Sequence, residues 1–145
     1  MKILINRGFA KFYLNPTIPC VEMHWDGFVR TQDFREILET ALTRYQILRE
    51  EQPELMWLAE TSKLRVISNE DRQWVEEVFN PKLFAAGLTH MAVVIPKNAF
   101  GEIAIKDIAE TNEKYEQKAI SYHMKLFGEY TEAQNWLKQT NGIAT

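Results

Sequence analysis

Two runs of the chain are apolar without alternation. Leu55-Met56-Trp57-Leu58-Ala59 and Met91-Ala92-Val93-Val94-Ile95 would each present hydrophobic side chains to both faces of a strand. A strand buried on both faces belongs inside a sheet that helices cover. Between the two runs, Ser68-Asn69-Glu70-Asp71 reads as the start of a helix, with Ser68 as N-cap and Asp71 at the capping-box position. Trp74, Val75, Val78 and Phe79 supply its apolar stripe. Strand, helix and strand in this order describe a βαβ crossover, which makes the two strands parallel. They are expected side by side at the centre of the sheet.

The flanking segments extend this pattern. Residues 9–14 and 19–26 read as strands joined by the turn signal Asn15-Pro16-Thr17. The second alternates, placing Val21, Met23 and Trp25 on a core face and Glu22, His24 and Asp26 on a wet one. Residues 31–51 are the clearest helix, with Thr31 as N-cap and a buried face of Phe34, Ile37, Leu38, Ala41, Leu42, Tyr45 and Leu48. Asn80-Pro81 is expected to kink the second helix, because proline lacks the N–H that a helix interior needs. Gly87 is expected to end it. Residues 97–118 are less regular. Residues 119–127 alternate as a half-buried strand, and 131–140 form a last helix that buries Ala133, Trp136 and Leu137. The order is β-β-α-β-α-β-α-β-α. It predicts an α/β chain, one domain over 1–145, with a mixed sheet and packed helices. Leu38, Leu42, Leu58, Val78, Val93 and Leu137 are expected to be almost fully buried.

Composition narrows the function classes. The formal net charge is −3, and basic residues cluster no more densely than the pair Lys114 and Lys118. That argues against a nucleic-acid surface, which needs concentrated Lys and Arg. One cysteine, Cys20, excludes an intrachain disulfide and fits a reducing, cytoplasmic setting. Cys20 itself reads as a small packing residue. No apolar run reaches the roughly 20 residues that span a bilayer. The N-terminus lacks the core and cleavage site of a signal peptide. His24, His90 and His123 have no ligand-like spacing, so no metal or cofactor is expected, and all three read as solvated surface residues. Nothing resembles a nucleophile–base pair, so no catalytic residue is assigned and an enzyme is not expected.

Several segments together resemble a known family. They are Trp57-Leu58-Ala59-Glu60-Thr61, Val66-Ile67-Ser68-Asn69-Glu70-Asp71-Arg72-Gln73-Trp74, the helix end Pro81…Ala85-Ala86-Gly87, and Ala133…Trp136-Leu137. With the element order, they make the chain similar to STAS domains, the sulfate-transporter and anti-sigma-factor-antagonist family. The closer resemblance is to the small standalone bacterial proteins of the SpoIIAA-like branch. The resemblance implies a non-enzymatic regulatory or protein-binding module. In anti-sigma antagonists a serine at the N-terminus of the helix after the central strand is phosphorylated, within an Asp-Ser-Ser-Gly-like motif. The matching position here is Ser68, preceded by Ile67 and followed by Asn69. By fold-level analogy, the resemblance also implies a second class of function, the binding or carriage of an apolar, lipid-like ligand with membrane association.

The candidate sites follow. Ser68 is either a plain helix N-cap or a phosphoacceptor. Glu60, Thr61 and Ser62 gather polar groups towards the C-terminal end of a central strand, where open α/β sheets bind ligands. Phe100, Ile103, Ala104 and Ile108 offer an apolar face on the least regular segment, suited to a lid or a partner surface. The occupant would be a protein partner or an apolar small molecule, and a homodimer is left open.

Overall fold

The computed structural model describes residues 1–98, 103, 105–110 and 123–142. Its strands are β1 (Lys2–Asn6), β2 (Ala10–Leu14), β3 (Cys20–Gly27), β4 (Met56–Leu64), β5 (His90–Val94) and β6 (His123–Phe127). They lie in one sheet in the order β1-β2-β3-β4-β5-β6. The first three pair antiparallel and the rest parallel. The expected central pair is there, with β4 beside β5, parallel, and Leu58 opposite Ala92. Because each strand is added beside the last, the order never reverses, and among the described residues the sheet has no switch point.

β1 has no counterpart among the expected strands. It is an edge strand in which Ile5 is buried while Ile3 is 53% exposed. So weak a burial pattern leaves little periodicity to read, and pairing with β2 defines the strand instead. β4 continues beyond Ala59 because its ladder with β3 runs on, pairing Asp26 with Lys63 and Gly27 with Leu64. Glu60, Thr61 and Ser62 therefore lie inside the strand.

Helices cover the sheet unequally. On one face lie α1 (Thr31–Glu51), α2 (Asn69–Trp74), α3 (Asn80–Ala85) and the helical residues 105–110, here α4. Their apolar residues pack with Phe12, Met23, Trp57, Met91 and Val93. On the other face α5 (Tyr130–Thr140) buries Ala133 and Leu137 against Cys20, Met56, Leu58, Ala92 and Val94. Successive crossovers of one hand place their helices on the same side. Only the helix after the last strand is free to take the other.

Five of the six core expectations hold: Leu58 and Leu137 are 0% exposed, Val93 is 2%, Leu38 is 5% and Leu42 is 7%. Val78 is only half-buried. The reason lies in the helix around Pro81. The expected kink takes the form of a π-helical turn, Val75–Phe79, in which the Asn80 N–H reaches back to the Val75 carbonyl. The wide turn keeps Val75 and Phe79 in the core and leaves Val78 at its margin. Pro81 follows at the start of α3, where its missing N–H costs little. The helix ends as expected. Gly87 has φ +97, its N–H bonds to Phe84 O at 3.0 Å, and the Leu88 N–H bonds to Leu83 O at 3.2 Å. That pair of bonds is a Schellman cap.

The N-terminus of α1 differs from expectation. Arg30 holds the cap position without a side-chain bond, and Thr31 is the first helical residue. Its hydroxyl donates to Asp71 Oδ2 at 3.3 Å, across to α2. Asp71 is 3% exposed and also pairs with Arg35 Nε at 3.4 Å. The carboxylate that would have completed a capping box thus ties α2 to α1.

Candidate functional site

Three places on this frame bring chemistry together. The first is the rim at the C-terminal ends of the parallel strands. Phe28 leaves β3 and is 70% exposed, and Val66, shortly after β4, is 44% exposed. The Arg65 guanidinium lies over the Phe28 ring at 5.7 Å. Ser68 opens α2 on the same exit as Val66. Its Oγ accepts the Asp71 N–H at 3.1 Å, so it caps the helix as the residue pattern indicated. Replacing Ser68 with alanine should cost about 0.5–2 kcal/mol. Chemical denaturation is the check, and a variant as stable as the wild type would show that the bond contributes nothing.

The second place is an apolar cavity of about 70 Å³ between the sheet and the helices of α1's face. Trp57, Leu64, Val75 and Phe79 wall it, and Ile105 and Ile108 of α4 close one side. Thr61 and Asn80 are its polar lining groups. The π-helical turn sets Asn80, 4% exposed, into this wall. Thr61 is 4% exposed, and its hydroxyl donates to the Val94 carbonyl, which ties β4 to β5.

The predicted apolar face of residues 100–108 therefore divides. Ile108 is 4% exposed and faces the cavity, whereas Ile103 is 59% exposed and turns outward. Ile105, three residues before Ile108, takes the inward position instead. Phe100 and Ala104 lie outside the described residues. So do residues 119–122 of the expected last strand.

The third place was not foreseen. Glu22, expected on a wet face, is 0% exposed. Strand alternation shows which residues share a face but not what covers it, and here the start of α5 does. One carboxylate oxygen accepts from His24 Nε2 at 2.8 Å and from the Tyr130 hydroxyl. The other accepts from Asn15 Nδ2 at 2.9 Å and Gln134 Nε2 at 3.3 Å. Burial alone would push the Glu22 carboxyl up, but these hydrogen bonds outweigh it and hold the group below its ordinary range. Next to it, burial first, and then the Glu22 charge, push the Cys20 thiol far up, so Cys20 is an inert packing residue.

The histidines also depart from the surface reading. The His24 side chain is 28% exposed and is wedged edge-on between Tyr13 and Tyr130, at 4.9 and 5.6 Å between ring centres. His90 is half-buried against His123 and Trp136. Burial first, then the neighbouring His123, lower its pKa. His123 alone is exposed. Among the described residues no three His, Cys, Asp or Glu side chains converge as metal ligands would, and no helix is long and apolar enough to cross a membrane.

A family model described as SpoIIAA-like matches residues 20–138. The chain belongs to the SpoIIAA-like family. The match takes in β3 to β6 and most of α5, which supply most of both hydrophobic cores. β1 and β2 precede it. At the level of the family, a SpoIIAA-like domain is a STAS-type regulatory or binding module. No curated protein and no solved structure matches the chain.

Proposed function

We propose that this SpoIIAA-like chain is a non-enzymatic regulatory module that binds a protein partner through the rim at the C-terminal ends of its parallel strands. The observation that carries this reading is apolar exposure on consecutive exits from the sheet. Phe28 directly follows β3 and Val66 closely follows β4, at 70 and 44% exposure, and the Arg65 guanidinium lies over the Phe28 ring. Large exposed apolar side chains gathered in one region are a mark of interaction surfaces. The C-terminal end of the strands is also where α/β sheets present their binding groups. Ser68 lies on the β4 exit, so a phosphate added there would bring negative charge to the edge of the face.

The test uses the paired variant Phe28→Asp/Val66→Asp, with Ile47→Asp as control. Ile47 is 58% exposed on α1, away from those exits. A photo-crosslinker at position 30, an exposed position two residues beyond Phe28, should capture a defined partner in the native cells. The paired variant should abolish that capture, and the control should preserve it. Equal capture by a folded paired variant would sink the rim.

The apolar cavity favours a second reading, a site for an apolar ligand. Its volume decides how far that reading goes. About 70 Å³ is well below the roughly 300–1,000 Å³ of small-molecule pockets. A lipid-sized occupant would require α4 to lift and carry Ile105 and Ile108 with it. Native mass spectrometry should show the added mass of such a ligand, and hydrogen exchange at 105–110 should change when it is removed.

A further inference from the structure

α5 leaves part of its face of the sheet uncovered, and there the fold assembles cations that lie far apart in sequence. Lys11 of β2, His24 and Asp26 of β3, and Glu60, Ser62 and Lys63 of β4 line a polar cavity of about 220 Å³. A second, of about 310 Å³, shares Asp26, Ser62 and Lys63 and adds Arg65 and Lys97. Strand register explains the gathering, since Lys11 stands opposite His24, His24 opposite Glu60, and Asp26 opposite Lys63.

Taken together, the two cavities are lined by four cations, Lys11, Lys63, Arg65 and Lys97, against two carboxylates, Asp26 and Glu60. Glu60 is committed to the Ser62 N–H, which donates to its Oε1 at 2.8 Å. Lys97 is committed to the Gly128 carbonyl at 2.8 Å and to Glu129 at 3.6 Å. Arg65 lies over Phe28. Among the described residues, Lys11 and Lys63 have no ion pair or hydrogen-bond partner. Beside them, His24 is locked in place because its Nε2 is held by the buried Glu22. In a chain of net charge −3, two ammonium groups without a partner thus stand beside the Ser62 hydroxyl, with the carboxylates of Asp26 and Glu60 on the same wall.

We propose that this groove binds a compact phosphate-bearing anion. Lys11 and Lys63 supply the positive charge, Ser62 a hydroxyl, and His24 a positioned ring on the wall. Lysine suits phosphate as a point charge that needs no planar match. A phosphate group offers several acceptor oxygens to the donors converging from β2 and β4. Asp26 and Glu60 on the same wall repel further negative charge, so the occupant carries a single phosphate group. The groove borders the rim at Arg65, but it involves neither Phe28 nor Val66 as a binding group.

The experiment titrates the full chain with inorganic phosphate and with glycerol 3-phosphate, followed by amide chemical shifts. Phosphatidylcholine vesicles with and without phosphatidic acid supply the lipid form of the same group. The amides of Lys11, Ser62 and Lys63 should shift and saturate. Lys11→Ala/Lys63→Ala should weaken binding by about tenfold or more, the effect of losing roughly 1.4 kcal/mol of charge-assisted contact. Lys63→Ala alone should weaken it measurably. Lys82→Ala, which removes the surface partner of Glu39, should leave binding unchanged. Binding of the soluble monoester without vesicle binding identifies a free metabolite. Binding only to phosphatidic acid vesicles identifies a headgroup. Either supports the site. No shift with any of these ligands overturns it, as does equal affinity in the double variant.

Discussion

Replacing Trp57 with alanine should destabilise the fold by about 3–5 kcal/mol, the range for truncating a fully buried tryptophan. Trp57 is 2% exposed, on a strand buried on both faces. Its ring packs against Phe12, Tyr45 and Phe79, with centroids at 5.2, 5.7 and 5.9 Å. It therefore joins β2, α1 and the π-helical turn through one side chain. Tyr45 cannot follow it inward, because its hydroxyl is tied to the Leu55 carbonyl at 2.8 Å. The vacated volume would join the existing cavity, which Trp57 already walls. The measurement is the denaturant midpoint at unchanged m-value. A loss below about 1 kcal/mol would mean that the neighbouring rings collapse into the space and that the core is far more pliant than its packing indicates.

Glu22→Ala should cost about 3–5 kcal/mol, the range for removing one member of a buried charged network. Four side-chain donors lose their acceptor at once: His24, Tyr130, Asn15 and Gln134. Glu22→Gln should fall between alanine and the wild type, since it keeps one acceptor oxygen. A pH signature separates this from ordinary lost packing. The carboxyl is held below its ordinary value of 4.5 in the fold. As the pH falls through that value, the unfolded chain takes up the proton first. The stabilisation from Glu22 is thus fully present above the unfolded value and is lost as the pH falls towards the lower folded one. The glutamine variant should lack this acid-dependent part. If its stability falls with acid as steeply as that of the wild type, the carboxylate is not the group being titrated.

How much of this was legible in the residues follows from what each signal reports. β4 and β5 were readable because burial on both faces leaves an apolar run without gaps. The Ser68 cap was readable because the bond spans only three residues. The inward turn of Ile105 was not, since a short amphipathic segment fits two helical phases equally well. Glu22 was misread because period two assigns faces and says nothing of a helix arriving from residue 130. The groove cations escaped for the same reason: Lys11, Lys63 and Lys97 share no local window and meet only through strand register.

Because strand order follows chain order throughout, the sheet can grow while the chain is still being made. Each new strand docks on an edge that is already present, and none has to be inserted between two others. The antiparallel β1–β3 segment can emerge and pair first as a template. Of the elements described, α5 is the last to leave a ribosome, and it carries Tyr130 and Gln134. Until it arrives, Glu22 is an open, solvated carboxylate. Closure of that network waits for α5, and a nascent protein truncated before residue 130 should carry a sheet whose second face is still wet.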